Sequence, residues 1–384
     1  MTVQTEQRQP DMTYSETETE LRAAVRSVLE EKAAAADVLA RTESGETYDA
    51  GLWRTLAAGI GCSGLLIPEE HGGAGASFRE VAVVAEEIGR SVAAVPFLGS
   101  AVVATVALLA AGDTELLGGL ADGSVTAALA VPFESMPGGL PQAKVRIGPA
   151  AADDQDGTYR LSGSIAGVAD ALPADVLIVP ADGVPYGLYV VQACAAGVSK
   201  SPVISLDMPR QLCDITLDSA PARRIAGGPE ADSAIEDALR AGAGILAAEQ
   251  LGLAERALDI TLAYVKQRYQ FARPVGSFQA LKHRFADWWV AVTQARAASR
   301  YAAACLASDD ADVRVAVALA KSICSETALH AGQEMIQLHG GIGFTWEHPA
   351  HLYLKRAKTT ALAFGTPDRH RASLAALVDL PAAP

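Results

Sequence analysis

The chain has 384 residues, half of them apolar and a fifth of them charged. A chain of this length exceeds one hydrophobic core, so two or three domains are expected. The net charge of −14 and the pI near 5.0 argue against a nucleic-acid binder, and the shortness of the apolar runs argues against insertion into a membrane.

The five cysteines are scattered and show no CxxC spacing, which is typical of reduced thiols rather than of a disulfide framework. No signal peptide opens the sequence, so a cytoplasmic location is expected. His348 and His351 are three residues apart, but neither Cys nor carboxylate completes a ligand set around them. We therefore expect no metal site.

Helical spacing of apolar residues dominates the first third of the chain. Ser77 followed by Glu80 is a typical capping box at a helix start. Helices are predicted over residues 14–42, 78–89, 99–111 and 114–120. We expect a disordered tail at residues 1–11 and an all-helical domain at residues 12–123.

The pattern then changes to short runs of Val, Ile, Leu and Tyr separated by Gly, Pro, Asp and Ser, which is typical of an antiparallel β-domain. We assign this domain to residues 124–222. Its strands are predicted over residues 125–131, 143–147, 158–163, 176–180, 186–191 and 212–217.

Helical periodicity returns in the last part of the chain, which we assign to a helical bundle over residues 223–384. Gly242, Gly244 and Gly252 lie inside the first long helix, where each lowers helix stability relative to Ala. Another helix or a ligand is therefore expected to approach closely there. The long helices are predicted over residues 232–269, 278–306 and 312–338.

A glycine-rich turn, residues 337–349, follows the third long helix. Its three glycines within four residues permit a tight turn and the close approach of a ligand. The composition fits a cofactor contact and a turn between two helices about equally well. Both interpretations stay open on composition alone.

Four segments resemble motifs of the acyl-CoA dehydrogenase family of flavoproteins, in the order in which the family carries them. Residues 67–73 resemble its I-P-E-x-x-G-G loop, and residues 248–254 the middle of its long first C-terminal helix. Residues 268–279 resemble its R-x-x-F-G-x-x-I-x-x-F-Q segment, with Ala272 in place of Gly. Residues 337–347 resemble its Q-x-x-G-G-x-G-[FY]-x-x-E turn. The resemblance implies an α+β multidomain fold with an N-terminal α-helical domain, a middle antiparallel β-domain and a C-terminal four-helix bundle.

The resemblance also implies FAD, bound between two subunits of a dimer or tetramer. It puts Arg268 on the FAD pyrophosphate, where a guanidinium matches phosphate oxygens well, and Phe271 near the adenine half. The other cofactor contacts that it implies are Gln337 and Gly341, both toward the neighbouring subunit, together with Thr366 and Asp368.

The carboxylate base that the family's reaction requires is missing from both positions where relatives carry it. One position, immediately before a Gly-Thr pair, is Phe364 here, and the other, on the long helix, is Gly242. Neither residue can accept a proton. Glu249, two helical turns from Gly242, is either an unusual base or a buried structural carboxylate paired with an Arg or His.

The β-domain also departs from the family. Residues 128–134 stand where relatives carry a Thr-Glu-Pro flavin motif, and residues 167–169 stand where relatives carry a Trp-Ile-Thr-like segment. The groups that face the flavin ring in relatives are therefore missing, while those on the adenosine-diphosphate half remain.

These departures resemble the base-less subunit of actinobacterial α2β2 heterotetramers that dehydrogenate CoA thioesters of steroid fragments. The chain is then expected to desaturate a steroid-derived or branched acyl-CoA together with a homologous partner subunit, with an electron-transfer flavoprotein or a similar acceptor. Two alternatives stay open. One is a self-sufficient homo-oligomeric dehydrogenase with a non-standard base, and the other is a non-redox scaffold that binds an acyl-CoA or a partner.

Overall fold

The first third of the chain is helical in the computed structural model, which describes residues 11–46, 48–139, 144–148 and 157–381. Its helices are α1 Glu16–Lys32, α2 Ala35–Ser44, α3 Ala50–Arg54, α4 Phe78–Ser91, α5 Thr105–Ala110 and α6 Leu117–Ala121. Wider, π-type turns over Thr55–Gly59 and Phe97–Ala104 follow α3 and precede α5. The predicted capping box is confirmed, because the Glu80 carboxylate accepts from the backbone N–H of Ser77.

The helix predicted over residues 14–42 is divided in two. The backbone leaves the helical conformation at Ala33 and Ala34, although Ala is the strongest helix former. We attribute this elbow to packing, because Leu29 before it and Val38 after it are both buried in the core. The predicted tail, residues 1–11, lies outside the described residues except for Asp11.

In the described part of the chain, the middle domain forms a seven-stranded sheet that curls round on itself. Strand β7 is central, since it pairs with β3 along its length, with β6 near its start and with β5 near its end. A bridge between Arg146 and Asp182 joins β2 to the end of β4, and apolar side chains such as Leu161 and Leu177 fill the interior. The strands are β1 Ala127–Leu129, β2 Val145–Gly148, β3 Thr158–Ala169, β4 Val176–Ala181, β5 Gly187–Gln192, β6 Val198–Val203 and β7 Leu212–Gly227.

Three details of this domain differ from the prediction. β1 and β4 run parallel, so the sheet is mixed rather than purely antiparallel. β6 is not predicted, because it is a largely exposed edge strand of Ser, Lys and Pro with little apolar pattern. β3 continues to Ala169 through Gly163 and Gly167, which interrupt its apolar pattern, and β7 continues to Gly227 as a partly polar, partly exposed segment that passes residue 222.

The C-terminal domain contains the predicted four-helix bundle. Helix α9 packs against α7, α8 and α10, while α7 also contacts α8 and α10, and α11 packs on α9. The helices are α7 Pro229–Gln267, α8 Gln279–Ser308, α9 Val313–His339, α10 Ala350–Leu362 and α11 Pro367–Leu377, with a short ribbon, β8 Tyr269–Gln270 and β9 Arg273–Pro274, between α7 and α8. The order of the three domains confirms the predicted fold class. Within the described ranges, no helix is long and apolar enough to cross a membrane.

Two glycines bring the backbones of α4 and α7 into contact. A Cβ on Gly252 of α7 would lie 1.8 Å from the Glu86 carbonyl oxygen, and a Cβ on Gly89 of α4 would lie 2.0 Å from the Glu249 carbonyl oxygen. On another face of α7, a Cβ on Gly244 would lie 2.6 Å from a methyl group of Leu306 in α8. At Gly244 and Gly252 the close neighbour is therefore a helix rather than a ligand.

Gly252→Ala is expected to destabilise the protein by about 3 kcal/mol, because α4 and α7 must separate to admit the methyl group. Urea titration of the free energy of unfolding measures this change. Gly51→Ala is the matched control, since its Cβ would meet only Asp49 Oδ1 at 3.5 Å. Because Ala is the better helix former and nothing crowds its methyl group there, that variant is expected to keep or gain stability, by up to about 1 kcal/mol. Equal stability of the two variants would contradict the packing argument.

Candidate functional site

The structure brings together the two positions at which relatives carry their base. Gly242 lies in the buried middle of α7, and Phe364 follows α10 in a turn. A Cβ on Gly242 would lie 2.8 Å from Phe364 Cζ and 2.9 Å from Val103 Cγ2. The phenyl ring therefore fills the space that a side chain at residue 242 would need.

The turn that carries Phe364 is strained and buried. Phe364 is 4% exposed and has a left-handed backbone conformation with φ of 51°. For a residue other than glycine, such a conformation costs about 1–3 kcal/mol and persists only where the surroundings enforce it. His370 helps to enforce it, because its Nε2 lies 2.8 Å from the Phe364 carbonyl oxygen. Burial lowers the pKa of His370 to about 4, so the imidazole is neutral at pH 7 and donates this hydrogen bond.

The two β-domain segments that depart from the family lie against this turn. Phe133 donates its backbone N–H to the Gly167 carbonyl (3.0 Å), and its own carbonyl accepts from the Phe364 N–H (2.8 Å). The Phe133 and Phe364 rings meet edge to face, with centroids 5.4 Å apart. Backbone hydrogen bonds thus join the segments that face the flavin ring in relatives directly to one another.

Little space remains between these groups. The cavity at their centre has a volume of about 20 Å³, which is sufficient for about one water molecule. We call this region the plugged slot and define it by Val103, Phe133, Gly242 and Phe364. The cavity is lined by Leu98, Gly99, Val103, Leu129, Val131, Phe133, Ala169, Asp170 and Phe364.

A buried ion cluster lies beside the plugged slot, where the β-domain meets α7 and α10. The Arg210 guanidinium lies 2.6 Å from both carboxylate oxygens of Glu249 and 5.6 Å from the centre of the Phe133 ring. Arg356 of α10 bonds to Glu249 at 3.0 Å and to Asp207 at 2.5 Å. The fifth member is Asp170, whose carboxylate accepts from the Gly99 N–H at 2.9 Å.

The cluster determines the protonation of Glu249. Burial alone would raise the pKa of Glu249, but the Arg210 and Arg356 guanidiniums outweigh it and hold the pKa below its ordinary value. Burial raises the pKa of Asp170 and of Asp207 in spite of the same guanidiniums. An ionised carboxylate held by two arginines is poorly suited to accept a substrate proton. The geometry therefore favours the structural interpretation of Glu249 over its role as a base.

The residues expected on the pyrophosphate and adenine half of the cofactor lie at the surface. Arg268 follows the last residue of α7 and is exposed, and within the described part of the chain its guanidinium has no hydrogen-bond or ion-pair partner. Phe271 is 86% exposed, and both it and Ala272 have positive φ values, of 53° and 61°. A free guanidinium and, three residues later, an exposed aromatic ring fit the diphosphate and the adenine of FAD.

The glycine-rich turn lies next to this surface. Tyr264, one helical turn before Arg268, stacks on His339 with ring centroids 4.5 Å apart. Gln337 is exposed, and an added Cβ at Gly341 would have no atom within 4 Å, so the backbone there is open to a ligand. The segments containing Arg268 and Gly341 therefore share one face of the molecule.

The remaining predicted contacts, Thr366 and Asp368, lie at the start of α11. Thr366 caps this helix, since its hydroxyl accepts from the Arg369 N–H at 3.4 Å, and Asp368 is exposed and paired with Arg371 at 2.5 Å. No group of three or more His, Cys, Asp or Glu side chains in the described residues is arranged to hold a metal ion. All five cysteines lie in the described residues and are free.

Sequence reasoning does not identify Asp207, Arg210 or Lys321, a lysine of α9 that is completely buried. Arg210 and Asp207 belong to a loop with no helical or strand period, and their partners come from distant parts of the chain. The one available signal is the position of Lys321 among apolar residues of a predicted helix, where a charge is unusual.

The family models described as acyl-CoA dehydrogenase, N-terminal domain, and acyl-CoA dehydrogenase, C-terminal domain, match residues 15–118 and 233–378. The chain is 37% identical over 359 residues to the acyl-CoA dehydrogenase IpdE2 of Mycobacterium tuberculosis, which covers 93% of this chain and 95% of the relative.

Several solved structures resemble this chain over nearly its whole length. One is a variant of the steroid ACAD Tcur3481-Tcur3483, which is 32% identical to this chain with a TM-score of 0.81. The match covers 95% of this chain and 98% of the solved chain. The ChsE4-ChsE5 complex from Mycobacterium tuberculosis is 27% identical over 97% of this chain and 100% of its own, with a TM-score of 0.84. A more distant acyl-CoA dehydrogenase complexed with FAD, from Bacillus anthracis, shares the fold at 21% identity, with 96% of this chain and 68% of its own covered and a TM-score of 0.81.

Glu249→Gln is expected to lower the free energy of unfolding by about 3–5 kcal/mol, because it leaves the buried guanidiniums of Arg210 and Arg356 without their shared counter-ion. Urea titration measures the change. Glu326→Gln is the control, since it removes only an exposed partner of Arg371 and is expected to cost about 0–1 kcal/mol. If Glu249→Gln left stability unchanged and abolished only turnover, Glu249 would be the base after all.

Proposed function

Because this chain belongs to the acyl-CoA dehydrogenase family, we propose that it is the subunit of a heteromeric acyl-CoA dehydrogenase that lacks a catalytic carboxylate of its own. The family oxidises a CH–CH group, by α,β-desaturation of a CoA thioester. FAD, when bound, would supply the acceptor for the β-hydride. A carboxylate must take the α-proton, and in this proposal a homologous partner subunit supplies it.

The plugged slot is the observation that carries the proposal. Phe364 and Gly242 hold both positions at which relatives have their base, and the ring of one fills the space beside the other. The slot has space for about one water molecule. It therefore admits neither a flavin ring nor a thioester unless the backbone hydrogen bond from Phe364 to Phe133 breaks and the β-domain moves away.

This chain instead offers groups for the outer half of the cofactor. The free guanidinium of Arg268 is suited to two oxygens of the pyrophosphate, and the exposed ring of Phe271 to the face of the adenine. The amide of Gln337 is suited to hydrogen bonds with a neighbouring subunit's cofactor, and Gly341 lets the backbone approach it. Thr366 adds a hydroxyl at the helix end nearest to Phe364, with Asp368 two residues on.

Relatives support the assembly and the substrate class. One solved relative is described as a steroid ACAD and another as a complex of two proteins, ChsE4 and ChsE5. We extend both features to this chain: a steroid-derived or branched acyl-CoA as the substrate, and a dimer or tetramer with a homologous subunit. The electron acceptor in this proposal is an electron-transfer flavoprotein or a similar protein. The free cysteines support a cytoplasmic location.

The two alternatives explain less of the structure. A self-sufficient dehydrogenase needs a base, and the carboxylate of Glu249 is held by two guanidiniums. A scaffold without redox chemistry leaves the unpaired guanidinium of Arg268 and the exposed ring of Phe271 without a ligand.

Flavin content measured on the chain alone and in complex with a homologous subunit tests the proposal. The chain alone is expected to purify with little FAD, and the complex with one FAD for each pair of chains and with activity. In the complex, Arg268→Gln is expected to weaken FAD binding by about tenfold or more, because a charge-assisted contact to phosphate is lost.

Arg54→Gln is the matched control, since it removes an exposed arginine from α3, far along the chain from the predicted contacts. It is expected to leave FAD binding unchanged. A chain that is fully flavinated and active alone would overturn the proposal in favour of a self-sufficient enzyme. A chain that holds no flavin in either state would favour the scaffold.

A further inference from the structure

A completely buried lysine lies behind the turn that carries Phe364. Lys321 is 0% exposed, and its ammonium donates to the Ser325 hydroxyl and to the Thr360 carbonyl, both at 2.9 Å. It also approaches the Gly365 carbonyl at 3.5 Å. Thr360 belongs to the last turn of α10, and Gly365 to the turn after it, so the lysine spans the junction of the two.

The position of this ammonium is electrostatically favourable in one respect. The last turn of a helix leaves carbonyl groups without partners and carries a partial negative charge, which a cation stabilises. The Ser325 hydroxyl in turn donates to Gln250 of α7 at 3.1 Å. A chain of hydrogen bonds therefore runs from α7 through α9 to the end of α10.

In another respect the buried lysine lowers the stability of the fold. Across the described residues, no carboxylate forms an ion pair with Lys321, and burial lowers the pKa of its ammonium to about 7. A buried cation without a counter-ion destabilises a fold, and an apolar side chain of similar length is often neutral or stabilising in its place. Stability alone therefore does not account for a lysine at this position.

We propose that Lys321 is a positioning residue, which fixes the turn over residues 363–366 by holding the carbonyl groups at the end of α10. The turn needs such a support, because Phe364 and Gly365 both have positive φ, 51° and 97°. His370 holds the Phe364 carbonyl, and Lys321 holds the end of α10. Between them they set where the Phe364 ring enters the plugged slot and where Thr366 begins α11.

The positioning role stands on these contacts alone. Its consequence for cofactor binding rests on the proposed function, in which Thr366 and Asp368 contact FAD. The two parts are separated by measuring the turn in the chain by itself and flavin retention in the complex.

Amide hydrogen exchange of the chain alone, measured by mass spectrometry on a peptide that spans residues 360–366, tests the positioning. In Lys321→Met this peptide is expected to exchange about tenfold faster or more, because the hydrogen bonds of Lys321 to the Thr360 and Gly365 carbonyls are lost. The Phe364 N–H, bonded to the Phe133 carbonyl, is the direct reporter. The melting temperature of the variant is expected to stay the same or to rise. Lys321→Gln retains a donor for the Thr360 carbonyl and is expected to restore part of the protection.

Lys358→Met is the control, since it removes an exposed lysine from the same end of α10. It is expected to change neither the exchange of residues 360–366 nor the melting temperature. Unchanged exchange of residues 360–366 in Lys321→Met would overturn the proposal. So would a lower melting temperature with faster exchange throughout the bundle, which is the signature of a merely structural residue. In the complex, Lys321→Met is expected to weaken flavin retention about tenfold. A loosened turn with unchanged flavin retention would support the positioning role and count against the assignment of Thr366 and Asp368 to FAD.

Discussion

Close backbone contacts of α7 constrain the rest of the structure. This helix touches α4 at Gly252, a methyl group of α8 at Gly244 and the Phe364 ring at Gly242. Packed helices hold their axes about 8–10 Å apart, and the size of the side chains at the contact decides where in that range they lie. The glycines allow α7 to pass closer, so one helix fixes the spacing of the N-terminal domain, the bundle and the turn after α10. The glycines reduce the helical propensity of α7, and packing on several sides restores its stability.

The buried charges beside α7 depend on the same closeness. Glu249 lies on the helix itself, Asp207 and Arg210 come from the β-domain, and Arg356 comes from α10. Removing each ion from water costs several kcal/mol, so the cluster is tolerated only because each charge has a partner at hydrogen-bond distance. Apolar packing alone is not directional, whereas the hydrogen bonds between these charged groups are. They fix the orientation of the β-domain against the bundle, and Arg210 then holds its position over the Phe133 ring.

The elements with a strong local signal are predictable from the sequence, and the long-range pairings are not. The three long helices and the capping box at Ser77 follow from periodicity and from one cap motif. The parallel pairing of β1 with β4 depends on how distant strands assemble, and β6 carries no apolar alternation. At the site, the empty base positions at Gly242 and Phe364 can be identified by resemblance, but their mutual contact cannot. The sequence predicts the partner of Glu249 only as an unnamed Arg or His, since no spacing rule connects residue 249 with residues 210 and 356.

The plugged slot and the exposed surface around Arg268 and Phe271 support the proposed function more strongly together than either does alone. A plugged slot is by itself compatible with a protein that has lost its cofactor. An exposed aromatic ring such as that of Phe271 is by itself compatible with any contact surface. Their combination is more specific, because the groups that suit the phosphates and the adenine are open while the space that would hold the reacting ring is filled by Phe364. A chain that had abandoned the cofactor would have no reason to keep only its outer contacts. A chain that held the whole cofactor would need the slot open. The remaining arrangement, on the proposed function, is a subunit that supports a flavin whose ring and base belong to a partner.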